Sequence, residues 1–239
     1  MKLVAVINQK GGCGKTSTSV LLALALASID KKVLAVDCDP QAGMTAFFTK
    51  STLERKGIFD YLTSNNKTID DVKISVKRDC LQLDLITADY RLDSIASSLD
   101  PYIIQRKFKT VNTYDYIIFD TPPTVQGISR SAAMASDKIF IPADISEGTK
   151  GPTLYTISSL KDIQKKGKVI FIGYKDPKEE SHSFKAELAR EFMKEVKSSY
   201  CGTIPKTAGM EKAIADVTFK WSAQRQEKIL KPVLEITGL

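Results

Sequence analysis

Short apolar runs rich in β-branched residues punctuate the chain, and each gives way to glycine, proline or an acidic residue. Runs at 3–7, 33–36, 116–119 and 169–172 are unbroken, which predicts strands buried on both faces. A partly alternating run at 81–86 predicts another strand, and 138–141 one more, stopped by Pro142. Helical spacing of apolar positions covers 15–29, 91–99, 129–135, 153–164 and 184–197, the last through Phe184, Leu188, Phe192 and Val196. Segments 58–62 and 70–76 read as short helical or turn pieces. A further helix is expected over 211–230, ended or kinked at Pro232. Strands alternating with helices predict an α/β fold, a mostly parallel twisted sheet with helices on both faces. Ligands of such sheets sit at the carboxyl ends of the strands. A glycine loop follows the first strand, and acids close the second and the one at 116–119, so chemistry is expected on that edge.

Length and charge narrow the picture. At 239 residues and 43% hydrophobic, the chain can bury one large core, and no Pro/Gly/Ser linker, repeat or charge block divides it. Residues 1–239 therefore read as a single domain. The net charge of +7 favours polyanions, although solubility charge on a lysine-rich protein gives the same sign. The lysines are dispersed, so a DNA contact would be a surface patch reading phosphates. Cys13, Cys38, Cys80 and Cys201 lie far apart with no CxxC, and His182 is the sole histidine, in a polar loop. That pattern argues against zinc, iron–sulfur and disulfide frameworks and for a reducing cytoplasm. The start of the chain does not read as a signal peptide, and the apolar run 20–27 is shorter than the ~20 residues a membrane span needs.

The strongest motif is Lys10-Gly11-Gly12-Cys13-Gly14-Lys15-Thr16, between the first strand and the first helix. Glycines let backbone N–H groups curl around phosphate, and the helix N-terminus adds its positive end. Lys15 is placed to reach β- and γ-phosphates, Thr16 to ligate Mg²⁺ and Ser17 to touch the α-phosphate. The standard loop wants glycine at position 9, where this chain has Gln9; the variant KGGxGK[ST] places a lysine at position 10 instead.

With this loop the chain resembles the ParA/MinD group of ATPases, which carry a deviant Walker loop on a P-loop NTPase fold. The resemblance implies ATP and Mg²⁺, a slow partner-stimulated ATPase, and a dimer closed across two ATP molecules, with Lys10 crossing to the partner's nucleotide. Asp37-Cys38-Asp39-Pro40-Gln41 resembles the group's DxDPQ element, which makes Asp39 the residue that positions the attacking water and helps hold Mg²⁺ through water; Asp37 orders the loop. Asp120, in Phe119-Asp120-Thr121-Pro122-Pro123, resembles the Walker B strand end and would orient Mg²⁺ waters. A capping or turn acid is the plainer alternative for each. Residues 85–92 and 132–145 also follow the group's pattern. Pro205 and Lys206 resemble an Ile-Pro-Arg element near the base, while Gly173-Tyr174-Lys175-Asp176 replaces an expected asparagine.

The function this implies is DNA partition: an ATP-closed dimer on nonspecific DNA, released when a ParB-like centromere-binding protein stimulates hydrolysis, in a nucleoid-associated cytoplasmic protein. The DNA candidates are Lys206, Lys212, Lys220, Arg225, Lys228 and Lys231, with Lys165, Lys166 and Lys168 as a second patch, each of which could equally be a solvated helix face. Trp221 reads as packed. The loop begins ten residues in, so an N-terminal helix-turn-helix is not expected. A MinD-like membrane ATPase is the alternative, but Pro232 and Glu235 in residues 228–236 weaken any amphipathic anchor. A metallocluster ATPase needs two cysteines after the Walker elements, a context Cys80 and Cys201 lack. A switch with a non-DNA cargo shares the same motifs. Cys13 fills a small-residue position, with a redox role as the alternative because helix N-termini lower thiol pKa values.

Overall fold

A computed structural model describes residues 1–49, 56–96, 98–173, 184–204 and 220–239. The unbroken apolar runs form the middle of one eight-stranded sheet. Its strands are β1 (Lys2–Val6), β2 (Val33–Asp37), β3 (Lys73–Arg78), β4 (Leu81–Ile86), β5 (Tyr116–Asp120), β6 (Lys138–Asp144), β7 (Gly167–Ile172) and β8 (Tyr200–Ile204), in the order β3-β4-β2-β5-β1-β6-β7-β8. All neighbours are parallel except β3, which runs antiparallel to β4.

Two apolar layers cover the sheet, and the period of two along each strand divides its residues between them. On one face Leu3, Ala5 and Ile7 pack with α3 (Ile58–Thr63), α5 (Ile103–Phe108), α6 (Gly127–Ala135), α7 (Glu147–Lys161) and α8 (Phe184–Val196). On the other Val4 and Val6 pack with α1 (Lys15–Ala27), α2 (Gly43–Phe48), α9 (Ala223–Ile229) and α10 (Lys231–Thr237). The short α4 (Leu92–Ile95) follows β4. Helix α1 is apolar nearly all round because the sheet, α2 and α10 enclose it.

Four sequence expectations change. Residues 70–76 do not form a helical piece: a short 3₁₀ turn at Ile69–Asp71 leads into β3, an edge strand whose apolar alternation is interrupted by Lys73, Lys77 and Arg78. Strand β8 was not anticipated, since only Ile204 of its five residues is fully buried. Pro142 does not stop β6, which continues to Asp144. The proline is tolerated because β1 pairs only as far as Phe140, so no ladder bond asks for the missing N–H. Helix α7 begins six residues earlier than expected and carries Pro152 inside it. Residues 211–219, part of an expected helix, lie outside the described residues; α9 begins at Ala223, and Pro232 sits in the first turn of a separate helix, where its ring is accommodated.

Candidate functional site

The glycine loop joins β1 to α1 at the carboxyl edge of the sheet. Its turn needs left-handed backbone at Gly12 (φ 74°) and Gly14 (φ 95°), which L side chains rarely adopt. Gly14 is also crowded, since a Cβ there would lie 3.3 Å from the Ile172 side chain. Gly11 and Gly12 face open space, leaving room for a polyanion against the backbone. Lys15 opens α1 and is buried, its Nζ donating to the Lys10 carbonyl at 2.8 Å. The Cys13 thiol reaches the same carbonyl at 3.1 Å. Thus one carbonyl holds the lysine that the sequence assigns to phosphate, and phosphate oxygens would compete for that ammonium.

Burial raises the pKa of the Cys13 thiol despite the nearby Lys15 charge. Enclosure fits Cys13 as a small residue that fills the loop.

Two acids stand side by side at the ends of neighbouring strands, Asp37 on β2 in register with Asp120 on β5. Both are fully buried, and burial raises both pKa values, helped at Asp120 by the Asp37 charge and at Asp37 by the Asp39 charge. Asp37 is satisfied: its Oδ2 accepts the Thr45 N–H at 2.7 Å and the Thr45 hydroxyl at 2.8 Å, and its Oδ1 accepts the Asp39 N–H at 3.1 Å. Asp120 is not. Its Oδ1 accepts the Ser19 hydroxyl at 2.9 Å, while Oδ2 is buried with no partner among the described residues. The Thr16 hydroxyl lies close enough to Asp120 to stabilise its charge. Asp39 sits half-buried on the loop after β2, its Oδ1 accepting the Gln41 N–H at 3.0 Å. That loop returns beside Thr16: a Cβ on Gly43, at the start of α2, would lie 3.4 Å from the Thr16 methyl and 3.5 Å from its hydroxyl. Thr16, Asp120 and the Asp39 loop thus form one corner next to the glycine loop. An orphan buried carboxylate oxygen beside a hydroxyl suits a hard cation and its waters, so the residues fit Mg²⁺.

Lys10 is half-buried, and its Nζ stands 3.9 Å from where a Cβ on Gly148 would sit, at the start of α7. Ser17 is half-buried in the first turn of α1.

Sequence reasoning missed Asn8, Thr153 and Thr156, which brace the loop from behind, and Asp144, which accepts the Thr149 hydroxyl at the end of β6. A polar residue directly after a buried strand was the visible signal for Asn8. Pro205, Lys206, Lys212 and His182 lie outside the described residues. Lys220, Arg225, Lys228 and Lys231 are exposed on the C-terminal segment, and Lys231 approaches Glu227 at 3.5 Å. Lys165, Lys166 and Lys168 are at the amino end of β7, away from the glycine loop, and Lys165 donates to the Ser136 carbonyl.

A family profile described as "AAA domain" matches residues 1–170. Over 149 residues the chain is 38% identical to the sporulation initiation inhibitor protein Soj of Bacillus subtilis, covering 59% of this chain and 57% of Soj. Over 151 residues it is 30% identical to the chromosome partitioning protein ParA of Caulobacter vibrioides, covering 59% and 55%. The chain belongs to the ParA family of P-loop ATPases. The matched part spans little more than half the length of these relatives. The ParA-family fold extends further than the sequence identity: a putative plasmid partition protein from Borrelia burgdorferi, bound to AMPPNP, superposes with a TM-score of 0.80 at 22% identity, covering 98% of this chain and 97% of that one. None of the described helices is long and apolar enough to cross a membrane.

Proposed function

We propose that the chain is a partition-type ATP switch that binds Mg–ATP in the glycine loop, closes into a dimer on nonspecific DNA and opens on hydrolysis. The observation that carries this reading is the conjunction, among the described residues, of a left-handed glycine cradle, a buried Lys15 held only by a loop carbonyl, and an orphan oxygen on Asp120.

In this reading, backbone N–H groups of 11–16 hold the phosphates and Lys15 leaves the Lys10 carbonyl for the β- and γ-oxygens. Mg²⁺ supplies charge neutralisation across those oxygens; Thr16 would hold it directly, and Asp120 and Asp39 through its waters. Asp39 orients the attacking water, while Asp37, fully hydrogen-bonded, fixes the loop that carries it. Asp39→Ala is then expected to slow turnover by about 100-fold or more while nucleotide affinity stays within about threefold. ATP-bound dimers should accumulate in light scattering, and unchanged turnover would remove Asp39 from the mechanism.

Exposed Lys220, Arg225, Lys228 and Lys231 support a phosphate-reading surface. Leu230 and Val233 are buried in the core, so these residues of the tail are not offered to a lipid surface. A ParB-like protein is the stimulating partner in this reading, as the partition names of the relatives suggest. DNA binding tests the function directly. It should require ATP and weaken with salt along a log–log slope of about −4 to −7, from four to eight phosphate contacts. Salt-insensitive binding, or equal binding without ATP, would overturn the proposal.

A further inference from the structure

Asn8 is the most heavily engaged polar side chain near the loop, with polar contacts to Pro142, Thr153, Thr156 and Lys10. It is fully buried. Its Nδ2 donates to the Pro142 carbonyl at 2.8 Å and to the Thr153 hydroxyl at 3.0 Å; its Oδ1 accepts the Lys10 N–H at 3.0 Å and lies 3.4 Å from the Thr156 hydroxyl. The orientation of the amide is fixed by chemistry, because the Lys10 N–H can only donate and the Pro142 carbonyl can only accept.

The arrangement solves a local problem. β1 leaves the sheet after Val6 to form the loop, whereas β6 continues, so the carbonyl of Pro142 outlasts its backbone partner. The Asn8 primary amide replaces the missing peptide group and extends the ladder by one bond. The same side chain turns the backbone back on itself two residues later through the Lys10 N–H, as Asx residues do in turns. The Gln9 N–H adds a bond to the Thr156 hydroxyl at 3.2 Å. Both threonines are buried on α7, the helix whose first turn lies against the Lys10 ammonium. Glycine leaves the second half of the loop free to curl, but the first half is tied to β6 and α7 at Asn8 and Gln9, and Lys10 is tied back to Asn8.

We propose that Asn8 is the positioning residue for Lys10: through Pro142, Thr153 and Thr156 it makes residues 8–10 and α7 one body, so that Lys10 is aimed by α7 and not by the phosphate cradle. This rests on the ATP-switch reading above. It predicts a separation of functions. Lys15 and Gly12–Thr16 bind nucleotide without Asn8, whereas the steps that use Lys10 need it.

The test compares Asn8→Ala with Lys10→Ala, the double variant, and Thr153→Val with Thr156→Val as a gentler pair that leaves Asn8 in place. Three readouts are taken on folded protein: affinity for a fluorescent ATP analogue, dimer formation with a non-hydrolysable analogue, and hydrogen exchange at the amides of residues 9–12 and 15–18. Asn8→Ala should keep ATP affinity within about threefold and weaken dimer formation by about tenfold or more. The double variant should assemble no worse than Lys10→Ala alone, since the larger defect contains the smaller. Exchange should rise at Lys10 and not at 15–18, and the threonine pair should show the same pattern at smaller amplitude. Loss of ATP affinity in Asn8→Ala together with faster exchange at 15–18 would overturn the proposal, as would wild-type dimerisation or full additivity with Lys10→Ala. If the unaltered protein fails to bind the ATP analogue, the ATP-switch reading fails first, and the exchange pattern alone then decides whether Asn8 holds Lys10. Should Asn8→Ala not fold, the threonine pair serves in its place, and wild-type dimerisation with unchanged exchange at Lys10 in that pair would overturn the proposal.

Discussion

Lys15→Ala should abolish useful ATP binding, lowering affinity by about 100- to 1,000-fold. The side chain is buried at the head of α1, and among the described residues its ammonium makes one hydrogen bond, to the Lys10 carbonyl. Exchanging a neutral carbonyl for phosphate oxygens converts that bond into charge-assisted ones, each worth about twice a neutral bond. Without the lysine, the phosphates would enter a partly desolvated cradle with one positive charge fewer, and breaking such a pair costs about 3–5 kcal/mol. The folded state loses little, because the Lys10 carbonyl keeps the Cys13 thiol as a partner. Titration with a fluorescent ATP analogue beside a thermal melt separates the two effects. Near-normal affinity in a variant that melts like the parent protein would refute the phosphate assignment of this loop.

The parts of this site that were legible from sequence are those whose chemistry is local. A continuous β-branched run, a glycine pair and a lysine at the head of a helix need nothing from elsewhere in the chain to declare themselves, and β1, the loop and α1 appear where the pattern places them. The acids closing β2 and β5 were visible for the same reason, although their sharing of one register line was not. What escaped was non-local. Apart from Lys10, Asn8 finds its partners 134 to 148 positions further along the chain, and nothing in the residues beside it names them. The edge strands β3 and β8 escaped because an edge is half-wet: Lys-Ile-Ser-Val-Lys-Arg and Tyr-Cys-Gly-Thr-Ile lack the apolar continuity of a central strand. Pro142 misled because a rule about ladders was applied where the ladder has already ended on one side.

The second large effect belongs to Lys10, and it should appear in assembly, not in binding. Lys10→Ala is expected to leave the ATP affinity of a single subunit within about threefold, yet to weaken ATP-driven dimer formation by at least about 100-fold. Among the described residues the Lys10 ammonium has no carboxylate partner; it rests beside Gly148, which has no side chain to hold it. Its own subunit therefore gives it little to leave behind. If it crosses to a facing nucleotide, the γ-phosphate pair it forms is worth about 4 kcal/mol at 4 Å in a medium of intermediate dielectric, less the cost of drying the ammonium. A net contribution of about tenfold per site is a modest share of that. Symmetry then doubles it in free energy, because a twofold dimer contains two such contacts and one substitution removes both, so about tenfold becomes about 100-fold. Sedimentation or light scattering with a non-hydrolysable analogue measures the association, and titration at concentrations below assembly measures the binding. Dimers that form as readily without the lysine would show that the ammonium stays on its own subunit, and the loop would then be an ordinary phosphate cradle with a spare charge at its rim.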